Sequence, residues 1–293
     1  MKKIFLIIFV IFYSLSYSQN KFEFIGVLKL NGNNKSLISY RLVLNLNNKI
    51  LKGFSITDFG GSFETKNTIS GTYNKISNML TFKEDDILYT KSKYSQDSFC
   101  FINFSGKIKL TGEDNKLEGK FNGLYLNKKK CIDGELTLVN AKKAYGNLTK
   151  LNKKIKKIKK IDEATKKRID PINIMDSLKV NNLSKNENLN VFVKSEKVII
   201  EIWDAKIEDG DIIKLYQNNK LLLDNFEVLN KKKRITINLN KEENIFRIEA
   251  VSEGDKLLNT AEIKITDGER EFELKSNLKK GESNSITIIK RND

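Results

Sequence analysis

The chain of 293 residues has no histidine, a single proline (Pro171) and only two cysteines, Cys100 and Cys131. Without histidine there is no Ser-His-Asp or Cys-His catalysis and no histidine-ligated zinc or iron. Two cysteines are too few for a cysteine-rich zinc site or an iron–sulfur cluster. Chemistry is left to carboxylates, hydroxyls, tyrosine and lysine. Long apolar runs are equally scarce. The one present, Ile4 to Tyr13, is too short to anchor the chain across a bilayer.

That run follows the basic Met1-Lys2-Lys3 and precedes the small, polar stretch Ser14 to Gln19. The pattern is that of a secretory signal peptide over residues 1–18, cut before Gln19. No cysteine follows the cut, so the expectation is a soluble exported protein without a lipid anchor, in the periplasm or outside the cell. In such a compartment two cysteines read first as one disulfide, Cys100–Cys131, with two reduced core thiols as the alternative.

The formal charge is +16, but twelve Lys/Arg against Asp162 and Glu163 fall in residues 142–168 alone. Outside this segment the mature chain carries an ordinary charge for its size. The joint excess of Asn, Ile and Lys also matches an AT-rich genome. A nucleic-acid partner is therefore not expected.

From Phe22 to Val139 the sequence alternates with period two. Tyr40, Leu42, Leu44 and Leu46 share one face; Cys100, Ile102, Phe104, Gly106, Ile108 and Leu110 share another; Leu117, Gly119, Phe121, Gly123 and Tyr125 a third. Turn residues separate the runs at Asn31-Gly32, Asn47-Asn48, Gly60-Gly61, Asn74 to Asn78 and Asp114-Asn115. No room is left for a crossover helix. An antiparallel meander that closes on itself hides its edges, so residues 19–140 are expected to form an up-and-down β-barrel of lipocalin or avidin topology. An open two-sheet sandwich is the alternative. Cys131 has the opposite parity from Leu136 and Leu138, so the disulfide calls for a bulge at Asp133-Gly134.

Residues 141–187 change character. Leu151, Ile155, Ile158, Thr165 and Ile169 fall near one helical face among lysines, and Pro171 ends the helix. The segment reads as a basic helical linker, loop-like from 171 to 187. Its lysines between 150 and 168 make an anionic membrane surface a candidate partner, but the absence of aromatics favours a solvated linker. From 188 to 293 strand patterning returns, with hairpins at Asn218-Asn219 and Asp267-Gly268, as in an Ig-like β-sandwich. The whole is thus all-β, a barrel and a sandwich joined by a helix.

Two loops are candidate sites. Asp204, Glu208, Asp209 and Asp211 place four carboxylates in eight residues between two strands. Calcium takes six to eight oxygens, many from carboxylates, though this spacing is not that of an EF-hand. A polar turn bent at Asp209-Gly210 accounts for the same residues. In the first half, Asp58, Gly60, Gly61, Glu64 and Thr65 form a polar loop at a strand end, and Glu84 points inward by parity. Barrel mouths admit ligands, so these residues are candidates for binding a small molecule, glycan or protein; a wide hairpin needing glycine is the plainer reading. No phosphate-binding loop is present.

Trp203-Asp204, Asp209-Gly210-Asp211, Asn218-Asn219, Asn244 and Asn259-Thr260-Ala261 together resemble a β-module of uncharacterised exported proteins of flavobacterial type. The pattern covers residues 200–266 and departs from the module at Leu258, where proline is usual, and at Ser252, where asparagine is common. Residues 22–139 resemble a companion domain through Ser55 to Gly61 and Lys130 to Gly134. The resemblance implies an exported β-protein and no activity. The expected function is non-enzymatic binding or interaction at the bacterial envelope or exterior. The alternatives are a secreted carboxylate-dependent glycan hydrolase, using acids such as Glu64 and Glu84, and a calcium-binding structural or adhesion module.

Overall fold

The protein's structure is a computed structural model that describes residues 20–32, 36–110, 116–158, 162, 181–205, 208–252, 258–268 and 270–291. The expected signal peptide, the turn at Asp114-Asn115 and the helix stop at Pro171 lie outside the described residues.

The first half consists of β1 (Asn20–Leu30), β2 (Leu37–Asn47), β3 (Ile50–Thr57), β4 (Thr65–Asn74), β5 (Met79–Thr90), β6 (Phe101–Lys107), β7 (Lys116–Leu124) and β8 (Gly134–Asn140). Each strand pairs antiparallel with the next, and β8 pairs back onto β1 from Phe24↔Asn140 to Leu30↔Gly134. This last ladder closes an eight-stranded barrel and excludes the open sandwich for this half. The alternation read from sequence is what fills it: Tyr40, Leu42 and Leu44 of β2, Ile102 and Phe104 of β6, and Leu136 and Leu138 of β8 are all buried in one interior cluster. Phe82 and Phe104 stack at 5.1 Å between ring centroids. The turns follow their residue types, with left-handed Asn48 (φ 57) and Asn78 (φ 52) between paired strands.

Cys100 and Cys131 form the expected disulfide, with Cα atoms 6.0 Å apart. The expected bulge is not needed. β8 starts only at Gly134, so Cys131 sits in the loop before the ladder and its parity carries no constraint. The loop is tied by the Cys131 N–H to the Gly123 carbonyl at 3.0 Å. Glycine is required at 123, because a Cβ there would collide with the Ile132 carbonyl and the Cys100 sulfur.

A helix, α1 (Ala141–Lys156), leaves β8 directly, its first turn capped by the Asn140 side chain accepting from the Lys142 N–H. Its inner face differs from the expected stripe. Ala141 and Asn152 are buried and Ala144, Leu148 and Ile155 half-buried, whereas Leu151 is 48% exposed and Ile158, beyond the helix end, 45%. Ala141 and Asn152 make the buried face, and the leucine chosen by hydrophobicity alone points out.

The second half contains β9 (Asn181–Leu183), β10 (Asn188–Val193), β11 (Lys197–Trp203), β12 (Ile212–Gln217), β13 (Lys220–Glu227), β14 (Lys233–Asn238), β15 (Glu243–Ala250), β16 (Asn259–Asp267), β17 (Arg270–Leu278) and β18 (Ser283–Lys290). β9 falls in a stretch that its polar composition marks as loop; its three residues pair in parallel with β17. Five strands, in the order β14-β11-β16-β17-β9, form a separate sheet. The other five, β13-β12-β15-β18-β10, continue the barrel's own sheet through β5. Val198, Ile200, Ile263 and Leu274 of the separate sheet share one core with Val191, Leu215, Phe246, Ile286 and Ile288 of the other.

β5 makes that continuity. It skips residues against β4 at two points, between Ile69↔Glu84 and Thr68↔Asp86 and again between Asn67↔Ile87 and Lys66↔Tyr89. Such bulges bend a strand and increase its twist. Before them, Met79 to Lys83 close the barrel on β6; beyond them, Tyr89 and Thr90 pair with Val191 and Asn190 of β10. Arg291 braces the junction, pairing with Asp86 and donating to the Ile87 carbonyl at 2.7 Å.

The Asp267-Gly268 hairpin forms as expected, with Gly268 at φ 59. Asp267 is buried and accepts from the Lys194 and Ser195 N–H groups, both at 3.0 Å, and pairs with Arg270. Burial alone would raise its carboxyl, but these donors outweigh it and hold it below its ordinary value of 3.8. Its contribution is therefore present above pH ~3.8 and lost as pH falls through the lower folded value. Asp267→Ala removes the acceptor of two part-buried N–H groups and the partner of Arg270 and should cost about 2 kcal/mol, read from urea midpoints at pH 7.

Candidate cation site

β11 ends at Trp203 and delivers Asp204 to a loop that returns into β12 at Ile212. The loop is stitched at both ends to the segment after β13, by the Asp204 N–H to the Leu229 carbonyl and the Val228 N–H to the Asp211 carbonyl, both 2.9 Å. Gly210 takes φ +85, a left-handed bend that favours glycine. This bend turns Asp211 inward beside Asp204 and Asp209.

One carboxylate oxygen from each of Asp204, Asp209 and Asp211 lies within 4.8 Å of the other two. Asp204 and Asp211 are buried and Asp209 half-buried. Asp211 Oδ2 accepts from the Thr260 N–H at 2.7 Å. Asp211 Oδ1 and Asp209 Oδ1 are buried and have no hydrogen-bond partner. Burial raises the Asp211 carboxyl, and the charges of Asp209 and Asp204 add to this; the Thr260 bonds oppose it without cancelling it. Three converging acids with two unmet lone-pair sets are unfavourable as they stand and favourable around a cation. Two oxygens on one calcium, each at about 2.3–2.6 Å, lie at most about 5 Å apart, so the spacing fits a shared ion. An all-oxygen donor set selects hard cations over zinc or copper. The triad can hold a metal ion.

A second layer fixes the triad. Ser252 Oγ donates to the Gly210 carbonyl at 2.7 Å and accepts from the Ile212 N–H at 2.8 Å. Asn259 Nδ2 donates to the carbonyls of Ile212 (3.0 Å) and Ser252 (2.8 Å). Ser252, Asn259 and Thr260 are thus partners of the loop that composition did not mark as site residues. Their only signal was their place in the module pattern, which the fold brings to one spot. The fourth acid, Glu208, is placed apart from the triad; its Oε1 accepts from the Asn230 N–H at 2.7 Å.

The first-half candidates are brought together in part. Asp58, left-handed at φ 50, accepts from the Phe63 N–H at 3.0 Å, and Glu64 accepts from the Gly60 N–H at 2.5 Å. Gly61 N–H closes on the Asp58 carbonyl at 2.8 Å. Asp58, Gly60, Gly61 and Glu64 thus form one internally bonded loop, and Thr65 leaves it bonded to Thr90 at 2.8 Å. Glu84 lies inside the barrel, as its parity suggests. It accepts from Tyr40 Oη (2.9 Å), Ser55 Oγ (2.5 Å) and the Ile102 N–H (2.9 Å). Burial raises its carboxyl in spite of these bonds, and burial and the Glu84 charge push the Tyr40 phenol well above 10.

No protein-family model, curated protein or solved structure matches the chain. Among the described residues no helix is long and apolar enough to cross a membrane.

Proposed function

We propose that the chain is an exported, non-enzymatic binding or interaction protein of the bacterial envelope or exterior, and that its second half takes up calcium as a structural ion. The buried, unpartnered Oδ1 atoms of Asp209 and Asp211 carry the calcium reading. Export is supported by the leader pattern of residues 1–18 and by the disulfide, which belongs to an oxidising compartment. Extracellular calcium modules bind at about 10⁻⁴–10⁻³ M, a range that a site of three acids suits. We read the facing five-stranded sheets of the second half as an Ig-like sandwich, the parallel pairing of β10 with β18 being a local variation on it. The hydrolase reading requires two acids facing across a polar cleft; Glu84 instead meets three donors inside a filled barrel.

Calcium at a hundred times its dissociation constant should stabilise the fold by about 2.7 kcal/mol, roughly 5–10 °C in Tm. Asp211→Asn should abolish that shift while leaving the metal-free protein no less stable, because it removes one of three repelling charges. Calorimetry with calcium and with chelator decides it. Equal melting temperatures, with no metal found by elemental analysis, would end the calcium reading.

A further inference from the structure

A second site lies where the barrel's outer wall faces the separate sheet. Strands β1 to β5 set Ile25, Arg41, Ile56, Lys66 and Tyr89 directly opposite one another in a single cross-strand row. Tyr40 and Leu42 point into the barrel, so Arg41 and the row it belongs to point out. Opposite stand Asn181 of β9 and Glu271 and Glu273 of β17, across a cavity of about 530 Å³ also lined by Lys21, Glu23 and Phe54. That volume falls in the usual range for small-molecule sites.

The charges in this cleft are unevenly matched. Arg41 Nη2 pairs with Glu23 Oε1 at 2.8 Å, and Glu271 pairs with Lys264 at 3.0 Å. The Lys66 ammonium sits 4.1 Å from the Phe54 ring centroid and 5.9 Å from that of Tyr89. Among the described residues the Lys66 side chain makes no hydrogen bond or ion pair, and the same holds for the side chains of Lys21 and Glu273. Lys66 is thus a mostly buried ammonium in the cleft wall with no carboxylate within ion-pair distance. Burial lowers Lys66 to about 8, and the Arg41 charge adds to this; Glu273 and Glu64 act the other way. An ammonium in that position gains from an anion brought alongside it.

We propose that this cleft binds a small hydroxy-carboxylate of the sugar-acid class, with its carboxylate on Lys66. Glu23, Glu271 and Glu273 share the cleft wall with Lys66, so a dianion meets more repulsion there than a monoanion does. The same acids accept hydroxyl protons, and the Asn181 amide offers a donor. The Phe54 ring, which flanks the Lys66 ammonium, supplies an apolar wall for the C–H side of a sugar. No local pattern marks this site, since its residues come from seven strands.

The test is calorimetric titration of the full mature protein with glucuronate, glucose and glucose 6-phosphate. Glucuronate should bind, with glucose and glucose 6-phosphate each at least about tenfold weaker, as loss or mismatch of a charge-assisted contact requires. Lys66→Met should lose glucuronate by at least about tenfold while keeping the wild-type melting temperature, since it removes a charge with no partner. Wild-type affinity should fall as pH rises through about 8, a readout independent of any variant. Absent glucuronate binding, equal binding of glucose, or affinity unchanged from pH 7 to 9.5 would each overturn the proposal.

Discussion

Glu84→Ala should be the most damaging single substitution in the barrel, costing about 3–5 kcal/mol. It leaves Tyr40 Oη, Ser55 Oγ and the Ile102 N–H without their acceptor in a closed interior. It also opens a void that stiff barrel walls cannot fill. Glu84→Gln keeps one acceptor oxygen for Tyr40 and Ser55 and should cost less, about 1–2 kcal/mol, because the Ile102 N–H then meets a donor in place of a carboxylate oxygen. The pH dependence tests the role of the carboxyl itself. Burial holds the folded Glu84 carboxyl above 4.5, so the native state binds the proton more tightly than the unfolded state does. Stability contributed by this group therefore falls as pH rises from about 4.5 through the higher folded value. Glu84→Gln should flatten that descent. Asp267 has the opposite sign and acts below about 3.8, so urea midpoints measured from pH 3 to 8 resolve the two windows. An undiminished descent in Glu84→Gln would remove Glu84 as its cause.

Cutting the disulfide, by reduction or by Cys100→Ser with Cys131→Ser, should cost about 3–4 kcal/mol and roughly 10 °C in Tm. The estimate follows from the 31-residue separation of the two cysteines, which the bond closes in the unfolded chain. Gly123→Ala should act in the same direction, since its Cβ would occupy the space of the Cys100 sulfur. Mass spectrometry of the unreduced protein checks the premise: two free thiols would contradict the bond, and calorimetry with and without reductant measures its worth.

Much of the barrel could be read from residues alone because its signals are local. Alternation sets which side chains face inward, and Asn48 or Asn78 sets where the chain reverses. The disulfide was legible for a different reason, as a chain read as exported offers two cysteines no other common use. Features that depend on three-dimensional meeting were not legible. Leu151 faces out while Ala141 and the polar Asn152, which hydrophobicity ranks lower, are buried. β9 is too short and polar to show a period, and only its parallel partner β17 makes it a strand. In the candidate cation site, the three aspartates stood out by density. Glu208 looked equivalent to them, since spacing along a loop does not say which side chain turns toward Asn230.

β5 belongs to two structures at once. The hydrogen bonds that hold Tyr89 and Thr90 to β10 are part of the same ladder system that closes the barrel, so the halves share a strand rather than a surface. Two domains joined by a tether reorient freely and melt independently. A shared strand couples them. Separating the halves removes backbone partners from a barrel strand, and loosening the barrel frays the edge on which β10 and β18 are laid. The two cores are therefore expected to unfold together, so that an ion held by the aspartate triad and the disulfide in the other half would act on the same unfolding equilibrium.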